Sequence, residues 1–291
     1  AASLRQVAGS GTTTFTGAVT TTAAEGINVD GTNFNFNNTV SLTLGDLDVD
    51  ASGTVRFNGL VTTSDAANGL VTISNDGQLT VTATGDMDLQ GALLQDGTGA
   101  VSTAGNITTN DADVTFESAV TLTDGIVINT GVGAGSVAFK STLNSEASEA
   151  NTLEVTAGTG NIAFDGAVGG VTALGALTIN ASGDVTLGDT AVVQSLTQSV
   201  TGTGTVTVDG AITATSGAVT FDADTIDLNA GVRTYGKDVS LTAGIGGVDL
   251  ASGSSITTTD NTGQYWTAGS IAITSAGAVS LYGSLVTSGG N

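Results

Sequence analysis

The chain has no proline, no cysteine and no histidine, and only 5 lysines and arginines in 291 residues. Without cysteine there are no disulfides, no thiolate metal sites and no Cys–His nucleophile. Without histidine a Ser–His–Asp triad cannot be assembled. Set against 27 Asp and Glu, the few cations leave a formal net charge of −22. No basic patch is then available to displace counterions from nucleic-acid phosphates, and an anionic membrane surface repels the chain. No apolar run approaches the roughly 18 residues of a membrane-spanning helix, so membrane insertion is not expected. The opening AASLRQVAGS lacks the charged and apolar regions of a signal peptide. Gly-rich GVGAGS (131–136) and GTGTV (202–206) are not followed by Lys-Ser/Thr, so neither reads as a phosphate loop.

What is abundant is glycine, 43 residues, together with a 40% apolar fraction that includes Val, Ile and Phe. That is enough to bury a core, and with Thr it favours strands; Gly, Asn and Asp favour the turns between them. A motif recurs: GTVRFNGLV from Gly53, DVTFESAV from Asp113, GNIAFDGAV from Gly160 and GTVTVDGAI from Gly204. Anchored on its second apolar residue, the series runs Phe15, Phe36, Phe57, Leu89, Phe116, Phe139, Phe164, Leu187, Val208, Leu228, Leu250, Leu281, with a mean spacing of about 24 residues. Two residues earlier stands another apolar residue in every case but Thr13. Four residues later an apolar residue usually returns, as at Val19, Val40, Val61 and Val120. A second apolar pair follows, such as Ile27/Val29, Val71/Ile73 or Ile126/Ile128, with Asp-Gly and Asn-Gly corners between.

Period-2 apolar pairs are strands with one buried face. Like positions recurring at like phase predict a single parallel β-solenoid over residues 1–291. It would have about 12 coils of about 24 residues, each coil a template for the next and the anchors stacked in one column. The long intervals 57–89 and 250–281 predict coil expansions near 62–86 and 257–270. An uncovered solenoid end is an open sheet edge, which suits end-to-end self-association or further repeats of the same polypeptide.

Runs such as TTTFTGAVTT, GNIAFDGAV and LTINASGDVTL resemble the repeats of filamentous-haemagglutinin-type exoproteins and giant repetitive bacterial surface adhesins, over nearly the whole chain. The resemblance implies a right-handed parallel β-helix, an extracellular or cell-surface location in bacteria, and a role in adhesion or surface assembly. The family's amino-terminal secretion domain is not recognisable, and GGVDL (246–250) is only a fragment of a calcium-binding nonapeptide.

Chemistry is sparse. Asp46, Asp48 and Asp50 in DLDVD alternate onto the outward face of one strand, where carboxylates either hold Ca²⁺ or keep a solvated face soluble. Asp86/Asp88, Asp111/Asp113 and Asp222/Asp224/Asp227 invite the same two readings. Arg56, between Val55 and Phe57, has Asp88 as its counterpart at the next anchor, which predicts a surface ion pair. The 257–270 expansion holds the only Trp, Trp266, beside Tyr265 and near Asp260. Aromatics beside an acid suit glycan contact, or a carbohydrate-cleaving site if a second carboxyl stood at the right separation. Thr-rich stretches raise ice binding, but they do not recur at one phase of the coil. The leading expectation is a non-enzymatic structural or adhesive solenoid, part of a surface fibre or a head-to-tail filament. The alternative is a carbohydrate-binding or polysaccharide-cleaving β-helix using the 257–270 expansion.

Overall fold

The computed structural model describes residues 2–65, 69–199, 202–259 and 268–288. Among them are 34 strands, three to twelve residues long, and no helix. Parallel strands stack as a β-solenoid of about 11 turns spaced by about 22 residues. The chain forms two compact units, residues 1–141 with 156–158 and residues 142–155 with 159–291.

In the first unit each turn has three sides. Leu4–Gln6 begins side I, Thr12–Phe15 side II and Val19–Thr21 side III. The next turn lays Ile27–Gly31, Asn33–Phe36 and Val40–Leu42 on them, pairing Leu4 with Ile27, Thr12 with Asn33 and Val19 with Val40. Alternation along each short strand sends every second side chain inward, so Ile27, Val29, Phe34, Phe36, Val40 and Leu42 are buried together. Stacked inward positions then meet like on like. Phe36 lies between Phe15 and Phe57, with ring centroids 4.8 Å apart on each side and interplanar angles of 13° and 6°. A second stack on side I joins Phe116 to Phe139 at 5.4 Å.

The anchors therefore do not form one column. In the first unit Phe15, Phe36 and Phe57 continue on side II to Val81, not to Leu89. Leu89 belongs to side III, where Met87 pairs with Val61 and Leu89 with Thr109. Phe116 and Phe139 face each other on side I. All three sides carry the same apolar–x–apolar motif, so the anchor series slips one side at 57–89 and again at 89–116. Those intervals are a turn plus a side, which is also why the mean came out longer than the true repeat. Within the second unit the column holds: Phe164, Leu187, Val208, Leu228, Leu250 and Leu281 pair in succession.

The slip also revises the expansions. Within 62–86, Val71–Asn75 and Leu79–Val81 are ordinary strands of sides I and II. The extra length is a few residues, since Val61 pairs with Met87, 26 on, where Val40 pairs with Val61, 21 on. Most of the 257–270 stretch, residues 260–267, lies outside the described residues; Val239 pairs with Ile271, 32 on, whereas Val219 pairs with Val239, 20 on.

Buried polar side chains close the corners. In the first unit the Asn75 amide donates to the carbonyls of Gly77 (2.6 Å) and Gly99 (3.1 Å). Gln95 on the next turn donates to Asn75 Oδ1 (2.9 Å), and Ser118 Oγ donates to Gln95 Oε1 (3.0 Å). Each amide is stacked and satisfied, which is what lets it lie at a fully buried position. Backbones pack as closely: a Cβ on Gly45, whose φ is +79°, would run into the carbonyl of Ala24 one turn away.

In the second unit, strands run through corners. Ala191–Ser199 pairs with Ile212–Ala214 through its first residues and with Val219–Leu228 through its last. Val219–Leu228 in turn serves both Val239–Ala243 and Gly247–Leu250, with a register shift between Ala223 and Thr225.

Candidate functional site

The functional surface of such a fold is what faces outward, and here it is set by register. Asp48 and Asp50 stand outward on Leu47–Ala51, beside Asn28 and Asp30 of the preceding turn. Asn28 donates to Asp48 Oδ2 at 2.7 Å. Burial, and then the neighbouring Asp50 and Asp96, push the Asp48 carboxyl above the usual carboxylate range, against the pull of the Asn28 bond. Asp46 does something else. It precedes the strand, and its Oδ1 accepts from the backbone N–H of Gly69 (2.8 Å) and Leu70 (2.9 Å) on the next turn.

That arrangement recurs. Asn33 accepts from Thr54 N, Asp86 from Asn106 N and Asn106 from Val127 N. In the same way Asp113 accepts from Ser136 N, Asn161 from Asp184 N and Asp184 from Thr205 N, all at 2.7–2.9 Å. Each acceptor stands immediately ahead of an inward apolar residue and reaches the same place one turn on. The signal is legible in DLDV, DMDL, DVTF, NIAF and DVTL, an Asp or Asn directly before apolar–x–apolar, and in NITT, where Thr109 takes the last place. Residues weighed as ion ligands or as solvating charge thus divide into corner acceptors (Asp46, Asp86, Asp113) and free outward carboxylates (Asp50, Asp88). Asp111 and Asp224 also accept from backbone, from Gly133 N and Ile245 N. Among the described residues no group of three or more acidic side chains is placed to hold a metal ion.

Asp227 and Asp249 lie in register on adjacent strands. Burial first, then Asp249, raises the Asp227 carboxyl above its ordinary value. Asp238 is the opposite case: the Ser270 N–H and hydroxyl donate to it at 2.7 and 2.8 Å and lower its pKa.

The expected Arg56–Asp88 pair does not form. Arg56 sits on side II beside Asn35 and Thr80, and its Nε donates to Asn58 Oδ1 at 2.7 Å. Asp88 is on side III, opposite Thr62 and Thr108. Tyr265, Trp266 and Asp260 lie outside the described residues. The turn before that expansion carries Arg233, its guanidinium 4.9 Å from the ring centroid of Tyr235.

The last and first turns differ from the interior. Val279, Leu281 and Leu285 are 46, 42 and 43% exposed, although Val248, Leu250 and Ile256, their partners one turn earlier, are at 2, 0 and 0%. The first turn mixes Leu4, Phe15 and Val19 with Gln6, Thr13 and Thr21. There Thr13 Oγ1 donates to Gln6 Oε1 (3.0 Å), and Gln6 Nε2 to the carbonyl of Asp30 (3.2 Å).

Compared with protein-family models, with curated proteins and with solved structures, the chain matches none of them.

Proposed function

We propose that the chain is a structural and adhesive β-solenoid of the bacterial cell surface, a length of fibre whose role is mechanical and not catalytic. The observation that carries this reading is the stack of parallel turns in which like meets like, with Phe36 lying between Phe15 and Phe57 at 4.8 Å on each side. A parallel solenoid of this kind lengthens by adding like turns, from further repeats of the polypeptide or from a second copy. A second copy joining head to tail makes a heterologous contact that propagates instead of closing. The resemblance of the repeats to filamentous-haemagglutinin-type exoproteins points the same way, as does a charge of −22 that keeps the sides of fibres apart.

Electron microscopy and sedimentation of the purified chain test it. Linear assemblies that grow with concentration, and that are lost in Leu281→Lys, are the expected result. A chain that stays monomeric at every concentration and also fails to retain bacteria or host cells on a coated surface contradicts the reading.

A further inference from the structure

On the second unit, three successive corners form a groove of about 400 Å³. Its walls and floor repeat a tripeptide: Thr159-Gly160-Asn161, Ser182-Gly183-Asp184 and Thr203-Gly204-Thr205, each running directly into an inward apolar residue. Because Ile162, Val185 and Val206 pair in register, like members of the tripeptide stack one turn apart. One wall is a ladder of hydroxyls, Thr159, Ser182 and Thr203; the other is the acceptor ladder of Asn161 and Asp184. The floor is bare backbone, since a Cβ on Gly183 or Gly204 would run into the carbonyl of Gly160 or Gly183.

We propose that this groove binds a neutral linear oligosaccharide, one pyranose per turn. Strand spacing sets the ladder repeat at about 4.8 Å, close to the length of a single pyranose residue in an extended chain. The hydroxyls both donate and accept, as sugar hydroxyls do. Asp184 spends Oδ1 on Thr205 N–H, which leaves its other carboxylate oxygen to accept from a sugar hydroxyl. Among the described residues no cation lines the groove, and Asp184 is its one carboxylate. An acidic glycan is therefore repelled, and a glycosidase pair, which needs two carboxyls, is absent from it. The site binds and does not cleave. It gives the adhesive part of the proposed function its ligand and rests on that part. Fibre assembly is read by microscopy, so glycan binding can fail while the scaffold reading stands.

The test is calorimetric titration of the intact chain with linear β-linked trisaccharides of glucose, mannose and N-acetylglucosamine. At least one is expected to bind, more tightly than its disaccharide and no less tightly than its tetrasaccharide. Asp184→Asn keeps the Oδ1 acceptor and the fold, and should weaken binding several-fold with an unchanged melting curve. The triple change Thr159→Val, Ser182→Ala, Thr203→Val should weaken it by about tenfold or more, roughly the loss of one or two hydrogen bonds. Absence of binding by all three probes at about 10 mM, a level at which even a weak contact is largely occupied, overturns the proposal. Unchanged affinity in Asp184→Asn does so as well, and that variant decides the matter if the triple change does not fold.

Discussion

The two units build the same kind of turn by different means. In the first, three short strands are separated by corners that stacked Asn75 and Gln95 close from inside, while Asp and Asn acceptors stand outside the corners of both units. In the second, strands of nine, ten and twelve residues bend through corners as single elements, and the pairing skips or shifts register at the bend. Burial along Ala191–Ser199 alternates, slips by one residue at Gln194–Ser195, and resumes. The same slip occurs at Asp224–Thr225, where the register shifts. A corner therefore needs only a change of phase in the inward pattern. Turn residues are one way to make it, and a bulge is another. What both units share is the inward pair, and the core is coded there.

The sharpest break of the comparison is in the aromatic stack, which the first unit has at its centre. Phe36→Ala opens a cavity between two stacked rings and should cost about 3–5 kcal/mol in denaturant unfolding. Leu228→Ala in the second unit should cost about 2–5 kcal/mol, with no aromatic contribution. Next come the closed corners. Gln95→Leu strands the side-chain oxygen of Asn75 and removes the acceptor of the Ser118 N–H, a loss of about 1–3 kcal/mol. Asp46→Ala deletes the acceptor for two backbone N–H groups and should cost about 1–2 kcal/mol. Asp46→Asn should recover most of that, and added Ca²⁺ should leave the melting temperatures of parent and variants unchanged.

The smallest effects are electrostatic and opposite in sign. The folded-state pKa of Asp227 is raised, so the folded chain binds the extra proton and stability falls as pH rises through that value. Asp227→Asn should remove this fall and melt higher than the parent above the carboxylate range. Asp238 has a lowered pKa, so its contribution is present above the ordinary carboxylate value and fades as pH falls toward the folded one. Asp238→Asn should flatten the acid side of the profile. Melting temperature against pH separates the two.

The period-2 pairs made the parallel solenoid legible, because Ile27/Val29, Phe34/Phe36 and their counterparts recur at like phase with corners between. All three sides were visible after Phe15, as Phe15 itself, Val19 and Ile27. Their order was not, because the motif is the same on each side and only pairing distinguishes Val81 from Leu89 as the successor of Phe57. The acceptor role of Asp46 and Asp113 was hidden for a related reason. It depends on what the next turn places opposite, and charge alone made these residues look like ligands or solvating groups. The groove is not legible in the sequence, because Thr-Gly and Ser-Gly become walls only when successive turns stack them.

Side assignment is the claim on which the rest depends, and the absence of native cysteine makes it directly measurable. Arg56→Cys and Thr80→Cys, labelled with pyrene, stand on adjacent strands of one side and should give strong excimer fluorescence in the folded chain. Labels at Arg56→Cys and Asp88→Cys, on different sides, should give monomer emission alone. Excimer from the second pair and none from the first would contradict the three-sided stack.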